Sequence, residues 1–318
     1  MEHDKERSET TSPDDRSDQE PSLKRSKIFN EQTEQEAETS KTNIKTKLAI
    51  IVPFRDSDPQ QKRKTHLTKF VPYMTEYLSK IPELEDFKIF IIEQSNDERK
   101  FNRGKLLNIG FILAKRDGFN TFVFHDVDLL PSESLSKWYA ERPPKHTLFH
   151  IARCWDRYNT NEKYLGGIVS FSDEDFELID GFPNIYWGWG GEDDELAKRV
   201  AKFNITVSGP PKTLPNAIED LEDLSLKDKL SWLRKNKGSK CQIKWEVNAA
   251  HDQKRDMVRL PKWWGLHGLE GRVNVLNVDT SLSPKCDIIQ VDVDWNYEEN
   301  GEGHWSNKAV SPVDLPNS

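Results

Sequence analysis

Cysteine is scarce in this 318-residue sequence: there are three, Cys154, Cys241 and Cys286, an odd number without paired spacing. No disulfide framework follows, and a reducing compartment is the expectation. No apolar run approaches the ~20 residues of a membrane helix. The opening MEHDKERSET has no apolar h-region, so no secretory signal is expected there. These absences together point to a soluble, cytoplasmic protein with no membrane span. Apolar residues are also rare at the start, where only Met1, Leu23, Ile28, Phe29, Ala37 and Ile44 occur among the first 46 residues. Such a segment cannot bury enough surface to offset chain entropy, so residues 1–46 read as a disordered tail. The basic run Lys24-Arg25-Ser26-Lys27 reads as a solvated cluster within it. Positive charge is outweighed overall, with a net charge of −8, which argues against a nucleic-acid partner.

From Lys47 onward the pattern changes. Leu48 to Val52 is a continuous apolar run stopped by Pro53, as expected of a buried strand. It leads into Pro53-Phe54-Arg55-Asp56, and Arg55 is placed to meet an anion, because open α/β sheets bind ligands beyond the carboxyl ends of their strands. Leu67, Phe70, Val71, Met74, Tyr77 and Leu78 recur at helical spacing. Phe87 to Ile92 is a second strand. Leu106, Leu107, Ile109, Phe111 and Ile112 predict a helix. Arg103 and Lys105 sit at its start, where cations gain nothing from the helix dipole, so both are candidates for binding a phosphate or carboxylate. Thr121 to Phe124 is a third strand and runs into His125-Asp126-Val127-Asp128. Two acids one residue apart at such a strand end can place one toward a ribose and one toward a divalent cation. Three strands with intervening helices, the third ending in D-x-D, make a doubly wound, Rossmann-like nucleotide-binding half of an α/β protein.

Further along, Thr147 to Ile151 reads as another strand. The pair Gly166-Gly167 lets backbone approach a ligand or forms a bulge. Ile218 to Lys235 reads as an amphipathic helix and Lys235 to Ser239 as a loop. His251 is a candidate metal ligand, and Trp263-Trp264 could lie in the core or over a sugar. The runs N-V-L-N-V from Asn274 and D-I-I-Q-V-D-V from Asp287 predict closing strands. Asp292 and Asp294 lie on the polar face of the last of these.

The richest stretch is Trp187 to Glu195, W-G-W-G-G-E-D-D-E. Its glycines, Gly188, Gly190 and Gly191, allow a loop to bend. Its tryptophans offer flat apolar faces on which a sugar can stack. Crowded carboxylates raise one another's pKa, which can bring one into the range of a general base.

Five segments, in order, carry a resemblance: P-F-R-D at 53–56, F-N-R-G-K-L-L-N-I-G at 101–110, F-H-D-V-D-L-L-P at 124–131, Y-L-G-G at 164–167 and G-F-P-N-I-Y-W-G-W-G-G-E-D-D-E at 181–195. Together they resemble the β-1,4-galactosyltransferase family of inverting, metal-dependent GT-A glycosyltransferases. The resemblance implies a GT-A catalytic domain over residues 47–300, with a nucleotide-binding half (47–135) and an acceptor-binding half (136–300) that carries an insertion near 211–246, and a C-terminal tail over 301–318. It implies transfer of galactose from UDP-galactose to a hydroxyl of a glycan or glycoconjugate acceptor ending in GlcNAc or xylose. Asp193 would be the general base, with Glu192 and Asp194 holding sugar hydroxyls. Asp128 and His251 would bind Mn²⁺. Asp126, Phe54, Arg55, Phe101 and Arg103 would line the uridine diphosphate site, with Tyr164, at the position that accompanies galactose, and Gly167 beside it. Trp189 would close over the donor as a lid. The resemblance departs at the metal site, because the positions before His251 that normally supply a ligand hold Ala249 and Asn248; the alternatives are a missing ligand, Asn248, or one from elsewhere such as His267. Members of the family are usually Golgi membrane proteins, which makes the Golgi lumen the alternative compartment.

Overall fold

The computed structural model describes residues 45–56, 61–96, 101–158, 164–184, 186, 188, 190–222, 225, 227–228, 231, 265–269 and 273–293. The tail expected over 1–46, apart from its last two residues, the loop 235–239, Trp263-Trp264 and residues 301–318 lie outside them, as does much of the 211–246 insertion.

An eight-stranded mixed sheet organises the chain, in the order β7-β5-β6-β3-β1-β2-β10-β9. Its centre is β1 (Thr46–Phe54), the L-A-I-I-V run, with Leu48 to Val52 wholly buried. A strand apolar on both faces needs cover on both, and the helices supply it. Helix α1 (Arg63–Ser79) buries Leu67, Phe70, Val71, Met74 and Leu78 on one side of the sheet. Helix α2 (Arg103–Arg116) buries Leu106, Leu107, Ile109 and Phe111 on the other. Asn102 caps α2 by accepting a hydrogen bond from the Lys105 amide at 3.0 Å. Strand β1 pairs in parallel with β2 (Leu84–Gln94) and with β3 (Thr121–His125). These three are the strands expected of a nucleotide-binding half, and their carboxyl ends share one edge.

The other end of the sheet is added mainly by antiparallel pairing. Strand β6 (Ile168–Ser172) pairs with β3 and with β5 (Thr147–His150), and β7 (Thr206–Ser208) runs parallel to β5 at the edge. Short helices α3 (Ser136–Ala140) and α4 (Asp173–Leu178) connect these strands, and α5 (Glu192–Lys202) leads to β7. Phe111, Phe122, Phe124, Phe171, Phe176 and Phe182 pack under α5, with Phe124 and Phe176 ring centres 4.4 Å apart. The two closing strands are present as β9 (Asn274–Ser283) and β10 (Cys286–Asp292). β10 runs parallel to β2, and β9 lies antiparallel outside it. Val291 and Val293 are buried and Asp292 is half-buried, consistent with the alternation read from the sequence; Asp294 lies outside the described residues.

One sequence expectation fails. Ile218 to Asp220, read as the start of an amphipathic helix, is strand β8, which pairs antiparallel with β4 (Leu129–Pro131). The D-V-D-L-L-P segment leaves the main sheet and its backbone groups still need partners. They find them here: the Ser132 amide donates to the Ala217 carbonyl at 2.8 Å and the Leu221 amide to the Asp128 carbonyl at 2.7 Å. Tertiary demand for those bonds overrides the local spacing. No helix among the described residues is long and apolar enough to cross a membrane.

Candidate active site

The site lies at the carboxyl ends of β1, β2 and β3. Phe54 closes β1 and Arg55 follows it, both buried. Asp126 and Asp128 follow β3, and the Asp126 amide donates to the Gly167 carbonyl at 3.0 Å. The glycine pair therefore brings backbone against the D-x-D turn. Phe101, half-buried, precedes α2, and Arg103 opens it.

The acids reach the same place from the start of α5. Gly188, Gly190 and Gly191 have φ of 88°, 92° and 98°, left-handed values that a side chain resists. The chain uses them to turn directly into α5, whose first turn holds Glu192, Asp193, Asp194 and Glu195 and whose last turn holds Arg199 and Lys202. That charge order complements the helix dipole. Glu192 and Asp193 are buried, whereas Asp194 is exposed. Trp187 and Trp189 lie outside the described residues.

Arg103 gathers the acids. Its Nη1 donates to Asp193 Oδ1 at 2.8 Å, and its Nε and Nη2 donate to Asp126 Oδ1 at 3.0 and 2.8 Å. Glu192 Oε1 stands 3.5 Å from Nη1. The side chain of Arg103 is 13% exposed. Burial disfavours its charge, but Asp126, Asp193 and Glu192 together hold its pKa well above the ordinary arginine value. Three carboxylates share one guanidinium, so the acids are short of countercharge. Burial, then repulsion from Asp193, pushes Glu192 up to about 8. Burial pushes Asp193 up to about 6, with Arg103 opposing and Asp126 adding repulsion. Asp126 is also raised, first by burial. Asp193 is thus a carboxylate poised near neutrality, in the range of a general base.

The other oxygen of Asp193 meets Tyr164, whose hydroxyl donates to Oδ2 at 3.2 Å. Tyr164 packs on Tyr158, ring centres 4.5 Å apart, and Tyr158 on Trp155 at 5.0 Å. An aromatic wall therefore runs outward from the carboxylate.

Asp128 accepts a hydrogen bond on Oδ2 from Arg63 Nη1, and Arg63 Nη2 reaches Glu222 Oε1 at 3.3 Å. A carboxylate such as Asp128 offers the hard oxygen donor that Mn²⁺ or Mg²⁺ accepts, so its chemistry fits a divalent cation. Among the described residues no group of three His, Cys, Asp or Glu side chains completes such a site. His251 and Asn248 lie outside the described residues. The remaining candidate, His267, bonds Asp180 Oδ1 through both its amide and its Nδ1.

Lys105, a candidate anion ligand by sequence, is wholly buried and donates instead to the Val293 carbonyl. Sequence reasoning missed Arg63 and Glu222, which sit in no recognisable pattern. It also missed Asn102, Asn108 and Asn184, three wholly buried asparagines whose only signal is their place inside the F-N-R-G-K-L-L-N and G-F-P-N strings.

Comparison with known proteins points to one family. Residues 14–140 match the family model for the N-terminal region of glycosyl transferase group 7, and residues 146–221 match the model described as the N-terminal domain of galactosyltransferase. The chain is 37% identical over 166 residues to β-1,4-galactosyltransferase 4 of Cricetulus griseus, covering 52% of this chain and 45% of that one. It is 39% identical over 168 residues to β-1,4-galactosyltransferase 1 of Bos taurus, covering 52% and 39%. The chain thus spans less than half the length of these curated relatives. A crystal structure of a mutant Drosophila β-1,4-galactosyltransferase 7, in complex with manganese, UDP-Gal and xylobiose, superposes with a TM-score of 0.61 at 28% identity, covering 82% of this chain and all of that one. The catalytic domain of the same Drosophila enzyme with xylobiose superposes with a TM-score of 0.59.

Proposed function

We propose that this chain, which belongs to the β-1,4-galactosyltransferase family, transfers galactose from UDP-galactose to a hydroxyl of a terminal GlcNAc or xylose, with inversion and in β-1,4 linkage. The observation that carries the reading is the Asp193 carboxylate, held between Arg103 and Tyr164 and sharing the Arg103 guanidinium with Asp126 of the D-x-D turn.

In this reading Asp193 takes the proton of the acceptor hydroxyl while that oxygen attacks the anomeric carbon of galactose. The new carbon–oxygen bond forms as the bond from that carbon to the diphosphate breaks, and the electron pair leaves with UDP. Arg103 keeps Asp193 ionised enough to accept the proton, and Tyr164 sets the direction of its second oxygen. Glu192 and Asp194 hold sugar hydroxyls. Phe54, Arg55, Phe101, Arg103 and Asp126 line the uridine diphosphate site, with Gly167 beside it, where a side chain would collide with Tyr158. Asp128 would hold Mn²⁺ with His251, and the cation would supply charge neutralisation for the departing diphosphate. Trp189 closes over the donor and keeps water out. The nucleotide-binding half, 47–135, serves the donor, and 136–300 serves the acceptor.

The test is purified protein with UDP-galactose and an array of acceptors, with and without Mn²⁺. Galactosylated GlcNAc- or xylose-ended product is the expected result; none on either class overturns the proposal. The Arg63–Asp128 pair favours one second reading, a sugar- or nucleotide-binding protein without turnover. Calorimetry in which UDP binds equally well with and without Mn²⁺, together with no product, would select it.

A further inference from the structure

Arg103 and Asp193 lie on separate segments, α2 and the turn into α5, and something must fix one against the other. Three wholly buried asparagines do so. Asn102 Nδ2 donates to the Asn184 carbonyl at 2.7 Å. Asn108 Nδ2 donates to the Phe182 carbonyl at 2.7 Å and to Asn184 Oδ1 at 2.9 Å, while its Oδ1 accepts from the Phe182 amide at 2.9 Å. Asn184 Nδ2 donates onward to the Gly265 carbonyl at 2.7 Å. A side-chain amide carries both donors and acceptors, so it can mimic a strand edge where no strand exists. Here the side-chain amides of Asn102, which caps α2, and of Asn108 within it grip residues 182–184 as a partner strand would. Asn184 then passes the grip to residues 265–267, which also bond Asp180 through the Leu266 and His267 amides at 3.1 and 3.0 Å. The Gly188 amide donates to the Phe101 carbonyl at 2.7 Å, a further tie between the same two segments.

The stretch so held is the root of the glycine turn that ends in Glu192 and Asp193. We infer that Asn108 and Asn184 are positioning residues that set the separation of Arg103 and Asp193 by clamping the root of the W-G-W-G-G turn between α2 and residues 265–267. The inference rests on the transfer reaction proposed above. Neither asparagine is assigned contact with a substrate; each acts through the pair it aligns. Buried polar links of this kind are strongly directional, because loss of one partner leaves the other unsatisfied.

Asn108→Ala and Asn184→Ala test the clamp, with Asn184→Asp as a variant that keeps the acceptor for Asn108 and loses the donor to Gly265. Transfer kcat is expected to fall about 10–100-fold, with the KM for UDP-galactose within about threefold of wild type, since a misplacement of ~1 Å at the chemistry costs that much. The ratio of UDP-galactose hydrolysis to transfer is expected to rise. Hydrogen exchange read on the same proteins needs no turnover. It should show faster exchange in both 185–195 and 265–269 for Asn184→Ala, and in 265–269 for Asn184→Asp, with the β1 and β3 amides unchanged. Uniformly faster exchange, unchanged exchange in 265–269, or a fall in kcat without a change in the hydrolysis ratio would overturn the inference. If the wild-type protein transfers nothing, the proposed reaction fails, and the exchange pattern still decides whether the clamp exists.

Discussion

The guanidinium of Arg103 lies 2.8 Å from a carboxylate oxygen of Asp193, although 90 residues separate them in the chain. The contact keeps a carboxylate ionisable where burial alone would favour its protonated form. It also links two separate segments of the site, because Arg103 opens α2 and Asp193 lies in the first turn of α5.

Asp193→Asn should lower transfer kcat by about 10²–10⁴-fold, roughly the contribution of a general base. In the unsubstituted protein kcat/KM should rise with pH through about 6, as Asp193 loses its proton. Initial rates from pH 5 to 8 check both statements. Near-normal turnover by the variant would remove Asp193 from the role.

Glu192→Gln should leave the fold more stable than wild type at pH 8, with the difference shrinking as pH falls. Glu192 binds its proton more tightly folded than unfolded, because its pKa is pushed from 4.5 up to about 8. Its contribution to stability is complete below pH 4.5 and is lost as pH climbs toward 8. Urea midpoints of both proteins at pH 5, 6, 7 and 8 measure the gap, and a gap that does not widen with pH would contradict the assignment.

Asp128→Asn should weaken the response to Mn²⁺, so that half-maximal transfer needs more metal. The substitution removes a charge and one hard oxygen donor while preserving shape. A metal titration that superposes on the wild-type curve would count against Asp128 as a ligand.

The parallel core was legible because each strand is a compact apolar run: Leu48 to Val52, Phe87 to Ile92, Thr121 to Phe124. The acids of the site were legible because they are clustered. β8 was not, since three residues paired to β4 leave no periodicity of their own. Lys105 misled because its position at a helix start matches that of an anion ligand, while its burial against Val293 depends on a strand almost two hundred residues away. The asparagines were invisible for a related reason. A polar residue among apolar ones reads as surface until the partners that satisfy it, Phe182 and Gly265 among them, are brought to it by the fold.

Gly110→Ala should destabilise the protein by about 1–3 kcal/mol, the usual penalty of overpacking a filled core. A Cβ at Gly110 would lie 2.4 Å from Ile51 Cγ2 and 2.9 Å from Ile92 Cγ1, so α2 would have to lift off β1 and β2. Chemical denaturation reads the change directly. An unchanged midpoint would mean that the helix has room to move.

Strand β10 covers the outer edge of β2, and Lys285 beside it pairs with Asp86, 199 residues earlier in the chain. During synthesis on the ribosome, β1, β2 and β3 emerge long before the strand that shields β2. Until then the nascent protein carries a bare row of backbone donors and acceptors on an apolar strand, the kind of edge that pairs with neighbouring chains. The order of the sheet therefore leaves that edge of β2 bare until the residues from Cys286 onward are translated.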